Sequence, residues 1–277
     1  RKSFMSENKE TRERVRALVK QVLENVPMEE EKESAPEVFP MRFVVNSLQN
    51  KIDKSLHSRI VNDLTAEPRM TGSNRTLVAI STIYRGVLEN NPERVIMGVN
   101  GVTDQIHVTE KEGIQPNYSF HQHGPFIYNG SYGSNFLRES IWLATIVHGT
   151  RFAYKPGQIK DLRDYYLKGT RWMVRGGLID YNVRGRQVGR ADAFDLGGDH
   201  LIQQLEHFMI ADQPYKEKYR TSKIHIENKT PQEIIGNKHF WRSDYTSHHR
   251  PAYFTSLKMC SNRTVGIELN MNSENKM

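Results

Sequence analysis

Two histidines and three tyrosines fall within residues 117–133, NYSFHQHGPFIYNGSYG: His121, His123, Tyr118, Tyr128 and Tyr132. Imidazole and phenol are the side chains suited to passing protons once their surroundings tune them, and glycine lets backbone approach a ligand closely. Pro125 and the glycines exclude a regular amphipathic helix, so the stretch reads as a loop with chemistry in it. A second irregular stretch, NVRGRQVGR (182–190), spaces Arg184, Arg186 and Arg190 with glycines. Guanidinium donates in a planar fork, which suits a carboxylate or a sulfate. Two further polar clusters are not explained by packing: TGSNRT (71–76), with Asn74, and SNRTVGIELNMNSEN (261–275), with Glu274 and Asn275.

Each cluster alone has an ordinary explanation. Asn74 suits an N-cap for the helix that carries Leu77. Tyr132 suits a buried aromatic with a satisfied hydroxyl, and the arginines suit a solvated surface. His121 and His123 form a His-x-His pair with no third placed ligand, so no metal site is expected.

The elements that must hold these clusters are mostly helical. Val15, Leu18, Val19, Val22, Leu23 and Val26 recur at steps of three and four and predict a helix over 9–26. The acidic MEEEKESAPE (28–37) is a connection, and apolar stripes predict helices over 41–64 and 77–88. Residues 92–116 carry several glycines and no sustained helical period, so they read as a long connection with short strands. Helices are expected over 134–148 and 158–174, joined by a turn at Tyr154-Lys155-Pro156-Gly157, and another through Leu201, Leu205, Phe208 and Met209. Beyond about Ile235 the alternating, aromatic and β-branched texture of HFWRSDYTSHHR and AYFTSLKMC is that of strands. The expected fold is mainly α, passing into the first strands of an antiparallel β region.

At 277 residues the chain is long enough for one large domain or two ordinary ones. Its 39 Lys+Arg against 32 Asp+Glu leave +7, which favours a polyanionic partner without choosing one. A single cysteine, Cys260, excludes an internal disulfide framework. No run approaches the length of a membrane span, and RKSFMSENKE is followed by no apolar signal core. Starting at Arg1 and stopping at SENKM, the sequence reads as a fragment of a longer protein.

Taken in order, TGSNR, HQHGPFIYNGSYG, NVRGRQVGR and SDYTSHHRPAYF with SNRT and NSEN resemble polysaccharide lyase family 8, the chondroitin AC, hyaluronate and xanthan lyases. The chain is most similar to the chondroitin AC branch, from about residue 70 onward. The resemblance implies an incomplete α/α toroid over 1–235 as a partial catalytic domain, with 236–277 starting a β-sandwich domain. It implies cleavage of a uronic-acid-containing glycosaminoglycan by β-elimination, with no cofactor. The partner would be an acidic polysaccharide, not nucleic acid or membrane, and the protein a secreted or periplasmic bacterial monomer. The family's Asn-Trp-Trp type aromatic patch is not visible in the chain.

Carried over by position, the resemblance puts Asn74 on the asparagine that holds the uronate carboxylate. His123 and Tyr132 fall on the catalytic histidine and tyrosine, and Arg186 and Arg190 on arginines near the active centre. Glu274 and Asn275 fall on the Asn-x-Glu-Asn motif. Asn74, His123, Tyr132, Arg186 and Glu274 form the expected catalytic set, while Arg184, Arg190, Asn275 and His121 are expected on the substrate side. Which of His123 and Tyr132 is the base stays open. The alternative is a non-catalytic helical domain that binds a polyanion, which explains the charge and the arginine loop but gives His123 and Tyr132 no role.

Overall fold

The computed structural model describes residues 67–150, 152–189, 198–231 and 234–266, together with residues 55, 58, 61 and 62. The helices expected over 9–26 and 41–64 lie outside the described residues, except for those last four, which are helical. The chain divides into two compact units: Arg1–Arg69, Val78–Gly101 and Gly149–Phe152 in one, and Met70–Leu77, Val102–His148 and Ala153–Met277 in the other.

In the first unit, the body of α1 (Gly72–Leu88) packs on α2 (Pro92–Thr103). α2 corrects the expectation of a loop over this stretch. Val95, Val99 and Val102 recur at helical spacing and are buried. The start signals are also local: Asn91 Oδ1 accepts from Arg94 N at 3.1 Å, Pro92 is the first helical residue, and Glu93 lies in the first turn. Asn90 ends α1 in the left-handed conformation, at φ 52°. Gly98, which suggested a loop, is a packing residue: a Cβ there would lie 2.5 Å from Ile83 Cγ1 and 2.8 Å from the Ala79 carbonyl oxygen. The glycine lets the helices approach more closely than any side chain would allow.

The second unit is built on α3 (Tyr132–Ile146), α4 (Pro156–Lys168), α5 (Gly198–Ala211) and α6 (Lys216–Glu227), with α5 packed against both α3 and α6. α6 was not foreseen from its sequence, because KEKYRTSKIHIE buries only Tyr219, Ser222 and Ile226. Phe136, Leu137 and Ile141 of α3, Leu162, Tyr165 and Tyr166 of α4, and Leu205 and Phe208 of α5 complete the core. Each such side chain contributes about 1.5–3 kcal/mol on burial. Phe208 stacks on Tyr219 with ring centroids 4.7 Å apart, and Tyr219 donates its hydroxyl to Asp212 at 2.5 Å. Arg163 donates to the same carboxylate at 2.8 Å, so this buried charge is paired.

Two short hairpins interrupt the helices: β1 (Gly113–Ile114) with β2 (Phe120–His121), and β3 (Val174–Arg175) with β4 (Leu178–Ile179). The expected strand region is an antiparallel meander of β5 (Gly236–Phe240), β6 (Tyr245–His249) and β7 (Phe254–Lys258), in that order. Along the central strand Tyr245, Ser247 and His249 are buried, as strand alternation requires.

A buried polar chain ties the β5–β6 turn to the 117–133 segment. His121 Nε2 lies 2.8 Å from Ser243 Oγ, Ser243 donates to Ser119 Oγ at 2.7 Å, and Ser119 donates to Asn117 Oδ1 at 2.7 Å. An amide oxygen only accepts, so the chain has one direction, and His121 must donate through Nε2. Burial, with help from the Arg242 charge, lowers the His121 pKa to about 4. This corrects the expectation that His121 contacts substrate: it is 2% exposed and serves as a neutral donor inside the fold.

The unfolded chain therefore binds a proton at His121 between pH 6.5 and about 4 that the folded chain refuses, so His121 makes stability fall as pH falls through that window. In His121→Gln this component should vanish. The stability difference between parent and variant, measured by denaturant unfolding, should narrow by about 3 kcal/mol between those limits.

Candidate active site

Three segments of the second unit supply the site. The first turn of α1 brings Asn74, the 117–133 segment brings His123 and Tyr132, and the loop after β4 brings Arg186. The 117–133 segment is more ordered than a glycine-rich loop implies. Its strand β2 continues into a bridge between His121 and Ile127, and Tyr132 opens α3. Gly133 makes this junction possible, since a Cβ there would fall 2.3 Å from Tyr165 Oη and 2.9 Å from Phe120 Cβ.

Asn74 is not a cap but the third residue of α1, and its Nδ2 lies 3.3 Å from His123 Nε2. An amide nitrogen only donates, so this contact uses His123 Nε2 as the acceptor. His123 has φ 60°, a left-handed backbone that is uncommon for a side chain of this size. Its ring meets the Tyr132 ring edge-on, with centroids 4.8 Å apart. Arg186 Nη2 donates to Tyr132 Oη at 2.8 Å.

Tyr128 lies behind these groups and is fully buried. Its ring stands edge-on to Tyr132 at 4.9 Å, and its hydroxyl accepts from Arg186 N at 3.3 Å. The arginine loop is held twice more. Gly130 N donates to the Val183 carbonyl at 2.9 Å, and the Asp180 carboxylate accepts from Asn182 N at 3.1 Å and from Tyr245 Oη at 2.5 Å. Asn74, Tyr132 and Arg186 are half-buried and His123 is exposed, whereas Gln122, Tyr128, Ser131 and Gly185 beside them are buried. Groups open to a ligand thus stand on a packed support.

The arginines separate by environment. Arg184 is 2% exposed, so it belongs to the interior of the loop and not to a cationic surface, which corrects its expected place on the substrate side. Arg186 alternates out to Tyr132. Arg190, Glu274 and Asn275 lie outside the described residues. Sequence reading passed over Glu112 and Gln122: Gln122 donates to Glu112 at 2.6 Å and accepts from Ser73 N at 2.9 Å. Only the position of Gln122 between the two histidines could have signalled it. Among the described residues no group of three or more His, Cys, Asp or Glu side chains is placed to hold a metal ion.

As an assembly, the site offers an amide and an imidazole beside one another, and a phenol beside a guanidinium. The first pair suits a carboxylate, and the second suits a proton transfer in which a phenolate is stabilised by a charged donor.

A family model described as the N terminal alpha-helical domain of polysaccharide lyase family 8 matches residues 41–225, and that family's super-sandwich domain matches residues 235–277. The chondroitinase-AC of Pedobacter heparinus is 31% identical over 225 residues, covering 76% of this chain and 31% of that protein. A hyaluronate lyase of Thermasporomyces composti is 30% identical over 141 residues, or 50% of this chain and 18% of that protein. A chondroitinase AC lyase solved with bound oligosaccharides superposes with a TM-score of 0.73 at 26% identity, over 80% of this chain and 34% of that one. A Streptomyces coelicolor chondroitin AC lyase solved with chondroitin sulphate shares the fold, at TM-score 0.66 and 17% identity over 92% of this chain and 42% of that one. The chain thus spans about a third of the length of the Pedobacter protein.

Gly185 is where the arginine loop is most tightly constrained. It has φ 58°, and a Cβ would stand 2.0 Å from Tyr128 Cε1. Gly185→Ala is expected to cost about 3 kcal/mol of unfolding free energy, from left-handed backbone strain and a steric clash together. A denaturant melt compared with the parent chain measures it.

Proposed function

This chain belongs to polysaccharide lyase family 8, and from that premise we propose that it cleaves a uronic-acid-containing glycosaminoglycan, chondroitin sulfate or hyaluronan, by β-elimination. The observation that supports the reading most is the convergence of Asn74, His123, Tyr132 and Arg186, with successive separations of 3.3, 4.8 and 2.8 Å.

In this reaction the C5 proton of the uronate is removed and the bond from its C4 to the bridging O4 breaks, so that O4 departs with the neighbouring sugar and the C4–C5 double bond of a 4,5-unsaturated product forms. The C5 proton is weakly acidic while the adjacent carboxylate keeps its full charge. Donors held ready at that carboxylate let the developing charge spread into it without reorganisation. Asn74 and His123 take this role. Tyr132 accepts the C5 proton as phenolate and then protonates the departing O4, while Arg186 stabilises the phenolate through the bond it already makes. Once O4 has taken the proton, Tyr132 is again a phenolate and the site is ready for another turn.

We read residues 1–235 as part of the catalytic helical toroid and 236–277 as the start of its β-sandwich partner. Arg190, Glu274 and Asn275 join the site in this reading by their place in the family pattern. The net charge of +7 supports an acidic polymer as partner. Among the described residues no helix is long and apolar enough to cross a membrane, and action on such a polymer suits a secreted or periplasmic protein.

Incubation with chondroitin sulfate or hyaluronan tests the proposal, because a lyase releases product that absorbs in the ultraviolet whereas a polyanion-binding module only retards the polymer. Tyr132→Phe should lower the rate of absorbance increase at least about 1,000-fold while leaving binding nearly intact. Retained activity in that variant rejects Tyr132 as the proton carrier. Arg186→Ala should weaken both turnover and binding, with the binding loss shrinking as salt is raised.

A further inference from the structure

The Asn74–His123 contact joins residues 49 positions apart, and the residues that flank the two are hydrogen-bonded to one another. Gln122, the residue before His123, is 1% exposed. Its Oε1 accepts from the backbone N–H of Ser73, the residue before Asn74, at 2.9 Å. Its Nε2 donates to Glu112 Oε2 at 2.6 Å. Glu112 accepts twice more, from Thr71 Oγ1 at 2.6 Å through the same oxygen, and from the Gly124 N–H at 3.2 Å through Oε1.

The result is a closed ring: Thr71 and Ser73 on the start of α1, Gln122 and Gly124 on either side of His123, and the Glu112 carboxylate between them. The fit at the helix start is close. Gly72 has φ 56°, and a Cβ there would stand 2.5 Å from Gln122 Oε1. The left-handed backbone of His123 is bracketed by a bond from the side chain before it and a bond to the amide after it. A carboxylate with three donors is a strong and directional anchor, since charge-assisted bonds are shorter and stronger than neutral ones. Gln122 is the one side chain that satisfies both neighbours, because it presents an acceptor to Ser73 and a donor to Glu112.

We propose that Gln122 and Glu112 are positioning residues that hold Asn74 and His123 at the separation the reacting carboxylate requires. What the pair does rests on the lyase reading above; where it is held does not. Neither residue touches the reacting atoms, so their loss should act through misplacement of the pair. Ground-state binding has other contributors, but stabilisation of the developing charge depends on donor placement.

Gln122→Met keeps length and removes both hydrogen bonds, and Glu112→Gln keeps shape and turns one acceptor into a donor. For a variant whose denaturant midpoint shows it folded, kcat should fall roughly 100-fold while KM moves less than about threefold. A crystal structure of the same variant should show the Asn74–His123 separation lengthened or the left-handed turn at His123 lost. An unchanged pair geometry in both variants overturns the proposal, as does a folded variant with kcat within about threefold of the parent or a loss matched by the unfolded fraction. If the parent chain releases no unsaturated product, the lyase reading fails, and the pair geometry in the variants still decides the positioning role.

Discussion

The site depends on the burial of one phenol. Tyr128 has no exposed surface, its N–H is donated to the Phe120 carbonyl, and its own carbonyl accepts from Ser131 and Gly133 at the start of α3. Its ring lies edge-on to Tyr132 and against Phe126, and its hydroxyl takes the Arg186 amide. One residue therefore fixes where α3 begins, which way Tyr132 faces and how near the arginine loop can come. Aromatic pairs of this kind are worth about 0.5–1.5 kcal/mol beyond their burial. The larger effect is geometric, because a packed interior has no slack through which these groups could drift apart.

The amphipathic helices were legible because burying one face leaves a period in the sequence, as in Phe136, Leu137, Ile141 and Ala144 of α3. α2 was not, since Gly98 and Gly101 carry the same letter whether they break a helix or let two helices touch, and only the partner distinguishes these uses. At the site, composition marked 117–133 as chemical but could not choose among its rings. His121 and His123 are two residues apart, yet one is 2% exposed and the other is turned outward by a left-handed backbone. The family pattern named Asn74, His123, Tyr132 and Arg186, which the structure brings together. It said nothing of Glu112 and Gln122, whose meaning lies in hydrogen bonds across ten and forty-nine positions of sequence. Arg184 and Arg186 show the same limit. Both sit in a glycine-spaced basic loop, and only the path of that loop past Tyr128 buries one and frees the other to reach Tyr132.

The two histidines also divide the electrostatic work. A buried imidazole is cheapest when neutral, and His121 sits at the donor end of a one-way chain through Ser243, Ser119 and Asn117. That chain links the meander to the segment bearing the site. His123 stands in the opposite condition, in contact with solvent and with Asn74 at its Nε2. A charge arriving from outside can interact with it without first being stripped of water by the protein interior.

The arrangement also bears on how the proposed chemistry is divided. The carboxylate carbon and C5 of a uronate are bonded neighbours, so the groups that neutralise the one and deprotonate the other must meet within a few ångströms while staying distinct. Rings of His123 and Tyr132 whose centroids are 4.8 Å apart meet that condition. Their partners separate their tasks. His123 Nε2 faces an amide that is itself a carboxylate donor, whereas the Tyr132 oxygen faces a guanidinium that favours the anion. A phenol takes up a proton only as its anion, and the guanidinium beside Tyr132 supplies the charge that stabilises that anion. On the proposed reading the tyrosine therefore accepts the C5 proton, and the imidazole belongs with the carboxylate.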